Sequence, residues 1–78
     1  MTASIIRKKQ QAVPFIPFDF LLAGEKRIHV PHPDYMFISP SGRFAEVSDK
    51  NDDETTLDVF LILGVQDHRK AASSKRGK

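Results

Sequence analysis

Phe18-Asp19-Phe20-Leu21-Leu22-Ala23-Gly24-Glu25-Lys26-Arg27-Ile28-His29-Val30 is a β-hairpin written out in sequence. Phe18, Phe20 and Leu22 fall on one side of a period-two alternation, with Asp19, Leu21 and Ala23 on the other. After the break, Ile28 and Val30 face inward and Arg27 and His29 outward. Strict alternation of this kind marks half-buried strands. Ala23-Gly24-Glu25 is the turn, with Gly24 able to take a positive φ. Two strands joined by so short a link must run antiparallel.

Downstream, Pro31-His32-Pro33-Asp34 interrupts the ladder. Residues 35–39 resume a strand in which Met36 and Ile38 alternate with Tyr35 and Phe37. Pro40-Ser41-Gly42 is a strong turn, and residues 44–48 return as a second hairpin. Residues 49–54 read as an acid-rich loop, residues 57–60 as a further strand or its start, and residues 61–66 as a turn and short closing strand around Gly64. Upstream, Pro14-Phe15-Ile16-Pro17-Phe18 is a stiff apolar lead-in. Residues 2–11 read as a short amphipathic helix capped by Thr2 or Ser4 and bounded by Pro14. Every link between strands is too short for a parallel crossover. Curling the sheet would remove its open edges. The expected fold is therefore mainly β: a small SH3-like or Sm-like antiparallel barrel of about five short strands, preceded by an N-terminal helix. An open antiparallel sheet crossed by the helix is the alternative. The expected organisation is a helix over residues 1–13, a β domain over 14–66 and a disordered basic tail over 67–78.

Size and charge narrow the function. The chain has 78 residues and no cysteine, which excludes disulfides and thiolate-ligated metal. Its 40% apolar content supports one core. The formal charge of +2 hides a strong asymmetry. Residues 1–13 carry +3, residues 69–78 carry +5, and residues 14–68 carry −6. The basic character thus belongs to the two ends, around an acidic centre. No apolar run approaches membrane-spanning length, and Ile5-Ile6 runs straight into Arg7-Lys8-Lys9 instead of into a signal core. A cytoplasmic protein without a membrane partner is expected.

Four sets of residues bear on function. His29-x-x-His32-x-Asp34 has ligand types suited to zinc, nickel or copper. The simpler reading gives His32 and Asp34 to the turn, and His68 to a frayed end, so no metal or other cofactor is expected. Asp49, Asp52, Asp53 and Glu54 lack the spacing of a calcium loop. No nucleophile elbow or phosphate-cradling loop is present, and so small a domain has little room for a pocket, so neither an enzyme nor a small-molecule substrate is expected. The aromatic residues are the strongest signal. Strands that are apolar on both sides need cover from the helix, the lead-in or another subunit. Phe15, Tyr35, Phe37 and Phe60 are the expected interaction surface. Arg7, Lys8, Lys9, Arg43, Arg69, Lys70, Lys75, Arg76 and Lys78 are the candidate nucleic-acid contacts.

The pattern Pro14-Phe15-x-Pro17-Phe18, Gly24, Val30-x-His32-Pro33-Asp34, Ser39-Pro40-x-Gly42-Arg43, Asp58-Val59 and Ile62-x-Gly64-Val65 resembles a family of short uncharacterised bacterial proteins. The order of helix, bent hairpins and short final strand also looks like the Sm-type barrel, whose members bind RNA as rings. The first resemblance implies a small module without an assigned activity. The second implies ring assembly and RNA contact. The expected function is a non-catalytic, self-associating protein-interaction module, with Sm-like RNA or DNA binding through the basic ends as the alternative.

Overall fold

A computed structural model of the chain describes residues 1–68. Residues 69–78 of the expected tail, with their five candidate cations, lie outside the described residues. Helix α1 (Ala3–Gln11) is followed by strands β1 (Phe18–Leu22), β2 (Lys26–Val30), β3 (Met36–Ile38), β4 (Phe44–Ser48), β5 (Glu54–Asp58) and β6 (Gly64–Asp67). Single 3-10 turns occupy Ala23–Glu25, Pro33–Tyr35 and Val59–Leu61. The protein is mainly β, with two antiparallel three-stranded sheets ordered β2-β1-β6 and β3-β4-β5. Among the described residues no ladder joins the two into a closed barrel. The interruption at Pro31-His32-Pro33 separates them, because proline supplies no amide hydrogen to carry a ladder through.

The first hairpin has the register its alternation requires, with Phe18 opposite Val30, Asp19 opposite His29 and Phe20 opposite Ile28. Gly24 takes φ 75° at the bend, and Glu25 shares the left-handed conformation at φ 61°. Strand β6 then pairs with the other edge of β1, and the ladder continues past its end, where the His68 amide donates to the Pro17 carbonyl. Asp67 and His68 therefore belong to the folded part, and the expected boundary after residue 66 moves outward. The strand expected over residues 57–60 also moves: β5 covers Glu54–Asp58, and residues 59–61 form a 3-10 turn. The Asp58 carboxylate accepts from the Phe60 amide and caps that turn, which is why extended geometry stops there.

One core serves both sheets. Phe18, Phe20 and Val30 come from the first, Met36, Ala45, Val47 and Leu57 from the second, and Ile6, Val59 and Ile62 close it. Phe18 and Phe20 pack edge to face at 5.3 Å. Phe20 and Val59 are fully buried, while Ile28 and Ile38 are half-buried against the cluster. Helix α1 spans the two sheets. Ile6 enters the core, Lys9 reaches Asp67 of β6 at 2.7 Å, and the Gln10 amide donates to the carbonyls of Pro33 and Met36 beside β3. Gln10 thus satisfies carbonyl groups that an edge strand would otherwise leave to solvent. At the β3–β4 turn, Gly42 has φ 76°, and a Cβ there would stand 3.0 Å from that of Ala3. Close docking of the helix leaves no space for a side chain. Thr2 occupies the N-cap position without a capping side-chain bond; its hydroxyl meets that of Ser4 instead.

Candidate functional site

The outer face of the second sheet holds exposed aromatic rings among its polar positions. Alternation turns Met36, Ile38, Ala45 and Val47 toward the core and Phe37, Phe44 and Glu46 outward. Phe37 lies opposite Glu46 and diagonal to Phe44, within reach for large side chains on one face. The 3-10 turn after β5 brings Phe60 to the same place: the Arg43 guanidinium sits 5.6 Å from the Phe44 ring centre and 5.3 Å from that of Phe60. Arg43 is also held by Asp58 at 3.3 Å. That carboxylate accepts the Phe60 amide as well, and with Arg43 this draws its pKa below the ordinary value. Phe37, Phe44 and Phe60 are 59%, 44% and 69% exposed, and Leu61 and Leu63 follow Phe60 into solvent. The result is an arginine stacked on two of three exposed phenylalanines, rimmed by Glu46 and Asp58.

The outer face of the first sheet carries a different constellation. Asp19 points away from the core yet is buried, at 6% exposure, because its strand neighbours cover it. His29, directly across β2, places Nδ1 2.7 Å from Asp19 Oδ1. His68, just past β6, places Nε2 2.9 Å from the same oxygen. The two imidazoles meet edge to face at 4.8 Å. Arg27 stands 3.5 Å from Oδ2 and donates to the Gln66 side chain at 2.7 Å. Burial pushes the Asp19 carboxyl up. Hydrogen bonds from His68 and His29, with the charge those rings carry when protonated, overcome it and set the net direction downward. The carboxylate and both rings offer ligand atoms within 4.8 Å of one another.

The sequence candidates are distributed unevenly over these places. Phe37 and Phe60 belong to the exposed face, which also contains Phe44. Phe15 is half-buried, 5.9 Å from Phe18, and Tyr35 is half-buried beside His32. The spacing His29-x-x-His32-x-Asp34 does not converge: His32 accepts the Asp34 amide through Nδ1, while His29 turns to Asp19. His68 is not frayed, since β6 delivers it to β1. Among the basic candidates, Lys9 is engaged by Asp67 and Arg43 by Asp58, Arg7 is half-buried and Lys8 exposed. No helix among the described residues is long and apolar enough to cross a membrane. A scan against protein-family models, a search of curated proteins and a search of solved structures each return no match.

Proposed function

We propose that the protein is a small, non-catalytic interaction module that self-associates through the outer face of its second sheet. The observation that carries this reading is the exposure of Phe37, Phe44 and Phe60 around Arg43 on one face. Exposed apolar groups clustered on one surface favour association, and aromatic residues with arginine dominate the centres of protein interfaces. The occupant is a second copy because the face carries both signs of charge. Arg43 lies among Glu46 and Asp58, so a twofold contact can answer each sign with its opposite. A uniformly anionic nucleic acid would meet the acids unfavourably.

The stacked Arg43 favours one other reading, in which a base stacks on the phenylalanines as on a single-strand binding platform. The barrel resemblance gives that reading its context: a helix comes first, the break at residues 31–35 divides what would be one bent strand, and a short last strand returns to β1. Sedimentation velocity over a range of concentrations separates the two. A dimer that dissociates at least tenfold more readily, a loss of about 1.4 kcal/mol, in Phe60→Ser or Phe37→Ser supports self-association. A wild-type chain that remains monomeric, yet binds single-stranded RNA near physiological salt, replaces it with the stacking reading.

A further inference from the structure

The three strands of the first sheet bring two imidazole nitrogens and one carboxylate oxygen together, and we propose that Asp19, His29 and His68 form a binding site for a divalent transition-metal ion of the zinc class. Each ligand comes from a different part of the chain: Asp19 from the central strand β1, His29 from β2 and His68 from the segment leaving β6. An ion here would tie the first hairpin to the last strand, adding to the backbone ladder and the Arg27–Gln66 hydrogen bond that already join them.

The donor set selects the class of ion. Calcium and magnesium prefer oxygen ligands, whereas two imidazoles with one carboxylate suit zinc and its borderline neighbours. The geometry is close to what such an ion needs. A tetrahedral ion with bonds of about 2.0–2.1 Å holds its ligand atoms roughly 3.3 Å apart. In the structure the two nitrogens stand 2.7 and 2.9 Å from Asp19 Oδ1, and all three atoms lie within 4.8 Å of one another. Insertion therefore calls for a small spreading of the rings, both of which are exposed and able to turn. Asp19 supplies the fixed element. Its backbone is paired on both sides, its side chain is buried, and its second oxygen faces Arg27, which Gln66 holds in turn. Outer contacts of this type orient a ligating carboxylate and leave the remaining oxygen to the ion. Both rings are about half exposed, which gives an ion access from solvent.

The competing possibility is that the rings serve only to satisfy a buried carboxylate. Calorimetric titration of the untagged full chain with Zn2+, together with the visible absorption of a Co2+ adduct, separates the two. The expected result is one ion per chain, Co2+ bands of tetrahedral type, and at least a tenfold loss of affinity in both His29→Ala and His68→Ala, with His32→Ala unaffected. Circular dichroism of the two variants checks that the sheets persist. In the wild-type chain, NMR shifts of the His29 and His68 rings on Zn2+ addition, with His32 unmoved, give the same answer without any substitution. No binding of either ion, or binding that survives both replacements, or binding lost only in His32→Ala, overturns the proposal.

Discussion

The two sheets obey the same alternation and reach opposite outcomes on their outer faces. In the first, the outward positions apart from Leu21 are polar, and Arg27, His29, Gln66 and His68 close over Asp19 until the acid is buried. In the second, the outward positions include Phe37 and Phe44, and Phe60 joins them with Arg43, but nothing among the described residues covers them. One sheet satisfies its outer face internally; the other, among the described residues, leaves aromatic rings in solvent. The contrast separates two kinds of residue that burial alone would confuse. Asp19 is buried because polar neighbours want it, whereas Phe60 is exposed although water does not.

The comparison is broken most severely at the core both sheets share. Phe18→Ala removes a fully buried ring that packs on Phe15 and Phe20, and should cost about 3–5 kcal/mol, enough to unfold both sheets together in a domain of this size. Chemical denaturation followed by fluorescence of Tyr35 and by far-ultraviolet circular dichroism reads this. Separate transitions for the two probes in the wild-type chain would show two independent cores. Asp19→Ala comes next, at about 1–3 kcal/mol. The loss is smaller because His29, His68 and Arg27 are exposed and can return to water when the carboxylate goes. Asp19→Leu should recover part of that loss by filling the space with apolar atoms. A leucine variant less stable than the alanine variant would mean that the polar cover cannot rearrange.

Much of the first sheet was legible because its contacts are local. Phe18, Phe20 and Leu22 against Ile28 and Val30, with a tight bend at Gly24, fix the hairpin register, and that register alone sets Asp19 opposite His29. His68 was not legible. It reaches Asp19 only because β6 pairs with β1 across more than forty residues, and nothing in the polar stretch from Gln66 to His68 announces that partner. The His29-x-x-His32 spacing misled for a related reason. Neighbours in sequence diverge at a proline break, whereas Asp19 and His29, ten apart, converge across a turn. In the second sheet, the strands over 36–38 and 44–48 followed from alternation, but the turn at residues 59–61 did not. Val59-Phe60-Leu61-Ile62 has the composition of a strand, and only the Asp58 cap converts it into a bend that throws Phe60 outward.

The exposed face offers a smaller effect on stability with a larger one on association. Phe60→Ser removes an aromatic ring that is mostly in solvent, so the folding free energy should move by no more than about 0.5 kcal/mol. Its role in the proposed contact predicts a clear shift toward monomer in the same sample. Measured together by thermal melting and sedimentation, the two numbers sharpen the contrast with Asp19, whose loss should do the reverse. A Phe60→Ser chain that melts well below the wild type at concentrations where both are monomeric would place the ring in the fold.

The smallest expected effect is set by acid, and it acts on the second sheet's face through Asp58. This carboxylate accepts the Phe60 amide and holds Arg43, and these two interactions draw its pKa below the ordinary 3.8. A carboxyl whose folded pKa is depressed contributes stability that is fully present above the unfolded value and is lost as pH falls through the folded one. The turn at residues 59–61 should therefore be unchanged from neutrality down to about pH 5 and should loosen only below the ordinary carboxylate range. Because Asp58 and Arg43 are at the surface, the loosening should stay local, leaving the core ladders intact. NMR resonances of the Phe60 amide and of the Arg43 side chain, which senses the ring currents of Phe44 and Phe60, are the direct readouts. Asp58→Asn supplies the control: its amide oxygen can still accept from Phe60, but it cannot ionise, so the acid step should vanish while the cap remains. A step of equal size in the asparagine chain would assign the titration to another acid, and a Phe60 amide indifferent to pH in the wild type would separate the aromatic face from the residue that shapes it.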